Sequence, residues 1–147
     1  MNRVKKFILI ISGLLIVLFL KKSFIVSCSQ KWITIKTYEY DLTQDGENEI
    51  VSLMVLAESD EEGDILWEDG HLWRLDVRHG DKKVILYENF LTFADLDFEV
   101  GFLNNNNKPS VLLIIENHVL ITAIEFFYLP IENQFASNEL FYFIKAQ

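Results

Sequence analysis

Two patterns of apolar and polar positions divide the chain. Residues 7–20 form an apolar run relieved only by Ser12 and Gly13. After residue 28 the apolar residues come in short β-branched and aromatic stretches separated by Gly, Pro, Asn or Asp. No segment there has the 3.6-residue period of an amphipathic helix. The cleanest stretch places Leu96, Phe98, Val100 and Phe102 on one face and Asp97, Glu99 and Gly101 on the other, the period-two signature of a half-buried strand. The same reading gives strands at Trp32–Tyr40, Glu49–Ala57, Ile65–Glu68, His71–Arg78, Lys83–Tyr87, Val111–Ile115, His118–Leu129 and Leu140–Ile144. Asp69-Gly70 is expected to close a tight hairpin, since Asp-Gly accepts positive φ angles. His79-Gly80-Asp81 reads as the next turn. The expected fold is all-β: an antiparallel meander of about eight or nine strands after an N-terminal hydrophobic helix. A sandwich, a partly closed barrel and two propeller-like blades all satisfy the pattern.

The N-terminal run defines a separate unit, residues 1–27, ahead of a β domain at 28–147. Arg3, Lys5 and Lys6 precede the run and Lys21-Lys22 follow it. Its 14 residues would span about 21 Å as a helix, against roughly 30 Å of bilayer hydrocarbon. As an uncleaved anchor, the segment would gain reach from snorkelling lysines and from Phe24, Ile25 and Val26. As a signal peptide, it has the length and basic flank of an h-region. Ile25-Val26-Ser27-Cys28 resembles a bacterial lipobox, which implies cleavage before Cys28 and lipid attachment to it. Lys21-Lys22 departs from that pattern by separating the apolar run from the box. Either way the partner is a membrane, reached through residues 1–27. The domain has few basic residues near the membrane and is expected on the extracytoplasmic side of the cell membrane.

Charge sharpens the division. Residues 1–27 hold five basic residues and no acids, so the remaining eight basic residues face all 22 acids, a net charge of −14 against −9 for the whole chain. Such a domain repels nucleic acid, and its charge suits cations or a basic protein partner. Half of the residues are apolar, which excludes a disordered chain. Cys28 is the single cysteine, so no internal disulfide forms.

One loop has metal-binding spacing. In Asp41-Leu-Thr-Gln-Asp-Gly-Glu-Asn-Glu-Ile, oxygens recur at Asp41, Thr43, Asp45, the Glu47 carbonyl and Glu49, and Gly46 permits a sharp turn. A hard cation such as Ca²⁺ takes about six to eight oxygens, and alternate positions can wrap them around one point. The stretch resembles the calcium loop of FG-GAP or VCBS-type β-propeller repeats, Asp-x-Asp/Asn-x-Asp-Gly-x-x-Asp/Glu before an apolar strand. Asp41, Asp45, Gly46 and Glu49 match, and Ile50-Val51 begins the strand. Thr43 departs from the pattern, and no Phe-Gly…Gly-Ala-Pro element precedes the loop. The resemblance implies weak Ca²⁺ binding within a propeller-like blade. A degraded echo, Phe102-Leu-Asn-Asn-Asn-Asn-Lys-Pro-Ser-Val, lies 61 residues on and lacks the acids. It implies a second hairpin unit without a cation.

The other candidates read as framework. The acids between Glu58 and Asp64 form a solvated loop. His71, His79 and His118 lack metal-site spacing, and Trp67, Trp73 and Tyr87, with the Phe-rich strands, are expected in the core, the alternative being that they line a carbohydrate or peptide groove. No nucleophile elbow, phosphate loop or dinucleotide fingerprint is present. The stretch Leu66-Trp-Glu-Asp-Gly-His-Leu-Trp-Arg-Leu75 resembles a hairpin of small exported proteins of Gram-positive bacteria. The expected function is a membrane-tethered, non-enzymatic binding or structural module. The alternative is a small envelope hydrolase or accessory subunit with a groove between its sheets.

Overall fold

A computed structural model describes residues 30–103 and 108–144. The N-terminal helix, the anchor and lipobox readings and Cys28 lie outside the described residues. No helix among the described residues is long and apolar enough to cross a membrane.

Nine antiparallel strands are present among the described residues: β1 (Lys31–Tyr40), β2 (Glu49–Ser59), β3 (Ile65–Leu66), β4 (Gly70–His79), β5 (Lys82–Thr92), β6 (Ala94–Gly101), β7 (Ser110–Asn117), β8 (Leu120–Leu129) and β9 (Gln134–Ile144). They form two sheets, ordered β1-β2-β4-β5 with β3 beside β2, and β6-β7-β8-β9. Neither closes into a barrel. The expected antiparallel meander is present, and the Asp41–Asn48 loop joins β1 to β2.

Alternation builds the core. In β2, Val51, Leu53 and Val55 are buried while Ile50, Ser52 and Met54 between them are partly exposed. Val51, Leu53, Val55, Trp73, Leu75 and Val77 from one sheet join Leu96, Phe98, Val111, Leu113, Ile115 and Phe126 from the other in one cluster. A single core shared by two facing sheets is what lets about 115 residues fold without disulfides. Phe102, expected to face inward with Phe98, is 57% exposed, because β6 ends one residue before it.

The strand pairing corrects the expected Asp69-Gly70 hairpin. Gly70 pairs with Thr92 as the first residue of β4, and β3 pairs with β2 through Glu58–Leu66 and Ser59–Ile65. The turn lies earlier, at Asp60–Asp64, where Asp60 Oδ1 accepts the Asp64 N–H at 2.8 Å and Gly63 takes φ 93°. The Asp-Gly signal failed because Gly70 serves close packing. A Cβ there would stand 2.6 Å from Phe90 Cζ.

At one edge the sheets are clasped by Lys36. A register shift between Thr34 and Lys36 leaves Ile35 unpaired and exposed, and such bulges re-aim the side chains beside them. Lys36 Nζ lies 2.6 Å from Asp97 Oδ1 and 2.6 Å from the Phe98 carbonyl, and 4.8 Å from the Phe98 ring centroid. The Lys36 ammonium holds the Asp97 carboxyl below its ordinary 3.8, with the Phe98 N–H adding to the effect. A depressed folded pKa means stability present above the unfolded value and lost as pH falls through the folded one. Lys36→Met is therefore expected to destabilise by up to about 1 kcal/mol near neutral pH. Paired urea melts should show that difference shrinking as the pH drops below 3.8.

Candidate metal centre

The Asp41–Asn48 loop is shaped by carboxylates that accept backbone N–H groups. Asp41 Oδ1 takes the Asp45 N–H at 3.1 Å and Oδ2 takes that of Gly46 at 3.0 Å. Asp45 Oδ1 takes the Glu47 N–H at 2.9 Å. Gln44 (φ 60°) and Gly46 (φ 94°) supply the left-handed backbone that brings those N–H groups inward.

Glu49 lies at the floor of the loop and is 1% exposed. As the first residue of β2, it shares the inward phase of Val51 and Leu53. A carboxylate at a core position needs hydrogen bonds or a cation, and Glu49 has several hydrogen-bond partners. Its Oε2 accepts the Leu42 N–H at 2.7 Å and the Thr43 N–H at 3.4 Å. Its Oε1 accepts the Thr43 hydroxyl at 3.1 Å and lies 2.7 Å from His79 Nδ1. His79 ends β4, whose Arg78 pairs with Ile50, so the antiparallel register carries the imidazole back to the start of β2.

Two groups are shifted by this arrangement. The hydrogen bond to Glu49 lifts the His79 imidazole above its ordinary 6.5, with the Glu49, Asp45 and Glu47 charges adding. Asp45 is held below 3.8, chiefly by the Glu47 N–H and also by the Thr43 hydroxyl and the His79 charge.

One ligand atom from each of Asp45, Glu49 and His79 lies within 4.8 Å of the others. Of the five loop positions with calcium spacing, the structure brings Asp45 and Glu49 together and places the Thr43 hydroxyl against Glu49. Both Asp41 oxygens are engaged by backbone N–H groups. The Glu47 carboxylate is exposed, 3.7 Å from His79 Nε2. His79, read from the sequence as a turn residue, supplies the third donor. Its signal was indirect: an acid in a core phase requires a partner, and strand pairing had to supply it.

This donor set fits one class of ion better than another. Ca²⁺ wants about six to eight oxygens, and two carboxylates with an imidazole offer few. Zn²⁺ takes three or four ligands from His and Asp/Glu at about 2.0–2.2 Å. Tetrahedral ligands at that distance stand roughly 3.4 Å apart, so a cluster within 4.8 Å would have to draw together to hold such an ion. Beside it a cleft of about 240 Å³ is lined by Lys82, Val84, Tyr128, Asn133 and Phe135 along with the cluster. The donors therefore open onto a surface built by both sheets.

Comparison with family models, with curated proteins and with solved structures returned no match. The functional reading therefore rests on the geometry of this chain.

Proposed function

We propose that the chain is a membrane-tethered, extracytoplasmic binding module. In this reading a divalent cation of the Zn²⁺ type, held by Asp45, Glu49 and His79, fixes the loop joining β1 and β2. The observation that carries it is the buried Glu49 carboxylate, with an imidazole nitrogen at 2.7 Å and Asp45 within reach. A bound cation would tie the β1–β2 loop to the end of β4 and stiffen one rim of the cleft between the sheets. That is a structural role for a metal. The core shared by both sheets supports a sandwich over two separate blades. The basic, apolar residues 1–27 support the tether.

Calorimetric titration of the chain with Zn²⁺ and Ca²⁺ separately tests the cation. One Zn²⁺ per chain is expected, with Ca²⁺ at least tenfold weaker, and His79→Gln should weaken Zn²⁺ without restoring Ca²⁺. Equal or tighter Ca²⁺ binding would return the loop to an oxygen-only site. No heat with either ion would remove the cation from the account.

A further inference from the structure

At the opposite end of the sheets lies a second cleft, of about 260 Å³. Its walls come from three places brought together by strand pairing. The first is residues 67–70, within the five residues (67–71) that stand against the single residue Ala57 of β2, between the pairs Glu58–Leu66 and Leu56–Leu72. The second is Phe93, the single residue linking β5 to β6 and thus one sheet to the other. The third is the β7–β8 turn at His118. The Phe93 N–H donates to the Asp69 carbonyl at 2.8 Å, which ties the first two together.

The chemistry of this cleft is aromatic and acidic. Trp73 is buried, and Trp67 stacks on it with ring centroids 6.0 Å apart and planes at 23°. Trp67 is itself 58% exposed, and Phe93 57%. Phe93 is held at φ 49°, a left-handed conformation that a bulky side chain rarely adopts, and its ring stands 5.8 Å from that of His118. The His71 Nε2 accepts the Glu68 N–H at 2.9 Å, which puts its ring hydrogen on Nδ1. Glu68, Asp69 and Asp95 complete the lining, and no lysine or arginine is among the lining residues. Glu58 near the end of β2 and the four acids Asp60, Glu61, Glu62 and Asp64 just after it lie at the same end.

We propose that this cleft binds a lysine- or arginine-bearing peptide segment of a partner, with a cationic side chain over Trp67 and Phe93 and its charge answered by Glu68, Asp69 and Asp95. Exposed π faces attract cations, most strongly when carboxylates nearby add to the field. An anionic ligand or an acidic lipid surface would meet like charge at Glu68, Asp69 and Asp95. The domain already uses its rings this way: Arg74 Cζ lies 4.0 Å from the Trp32 ring centroid, and Lys36 covers Phe98. The inference goes beyond the proposed cation site and shares no residue with it.

The test is calorimetric titration of the full chain in a neutral detergent, with chelator present so that the metal cluster plays no part. The probes are tetra-arginine, a tetra-glutamate control and a neutral cellotetraose. Tetra-arginine should bind saturably, and raising the salt about tenfold should weaken it severalfold. Trp67→Ala should weaken it about tenfold. Glu68→Gln with Asp69→Asn should do the same, and both variants lie on exposed positions that leave the core intact. Tetra-arginine binding that survives Trp67→Ala unchanged would mean diffuse attraction to an acidic domain, and would overturn the proposal. So would cellotetraose binding as tightly, which would make the cleft a sugar site, or no binding by any probe.

Discussion

Replacing Glu49 with alanine is expected to destabilise the domain by about 3 kcal/mol and to abolish cation binding. The stability loss has two origins. The Leu42 N–H, on a residue only 2% exposed, would lose its acceptor, and an unsatisfied buried donor costs about 1–3 kcal/mol. The Thr43 hydroxyl and His79 would lose theirs as well, so the loop would lose the group that organises it. Glu49→Gln separates charge from shape, since it keeps the volume and one carbonyl acceptor. It should cost less, about 1–2 kcal/mol, and should still lose the cation. Urea melts of the three proteins measure both steps. If alanine cost under about 0.5 kcal/mol, in the range of an ordinary surface change, Glu49 would not organise the loop.

A comparably large effect is expected at Phe98, the largest fully buried side chain among the described residues. It stands where the two sheets meet, packed among Leu53, Leu75 and Leu113 in the shared core and capped by the Lys36 ammonium. Phe98→Ala should cost about 4 kcal/mol, much of the roughly 5–15 kcal/mol that a domain of this size possesses. Phe98→Leu should cost far less, about 1 kcal/mol, because it keeps most of the volume. Phe102→Ala, four residues on and exposed, should change stability by under about 0.5 kcal/mol. That contrast is a check on the sheet packing itself. Equal losses at Phe98 and Phe102 would put both residues on a buried face, as simple alternation expects.

The strands were largely legible because burial on one face leaves a period of two in the sequence. Leu96–Val100 shows it directly, whereas Glu49–Ala57 is apolar on both phases and is marked by its β-branched, near-continuous apolar run; both are strands in the structure. Less legible were strands whose outer face is also apolar or whose pattern is polar. β9 begins at Gln134, well before the apolar residues at Leu140, because its early residues pair with β8 through backbone groups that any side chain permits. The Asp69-Gly70 hairpin misled for a local reason: the dipeptide suits a tight turn, but Gly70 answers to the Phe90 ring. Trp67, expected in the core, lies in a segment that loops out of the sheet, and no local pattern marks that.

The loop chemistry was half legible. Asp41, Asp45, Gly46 and Glu49 stand close in sequence, and their spacing marked a folded, carboxylate-rich turn. His79 follows Glu49 by 30 residues, and only the pairing of β2 with β4 brings it home. The change matters to the proposed cation site, since an imidazole beside two carboxylates makes a mixed donor set that would suit a softer ion than Ca²⁺. The second cleft was hidden for the same reason, because Trp67, Phe93 and His118 meet only through tertiary structure.

Anomalous diffraction at the zinc edge, from crystals of the chain grown with Zn²⁺, tests the proposed cation site. One strong peak is expected at about 2.0–2.2 Å from a carboxylate oxygen of Asp45, one of Glu49 and a ring nitrogen of His79. A peak on the Glu58–Asp64 acids, or none near Glu49, would contradict it.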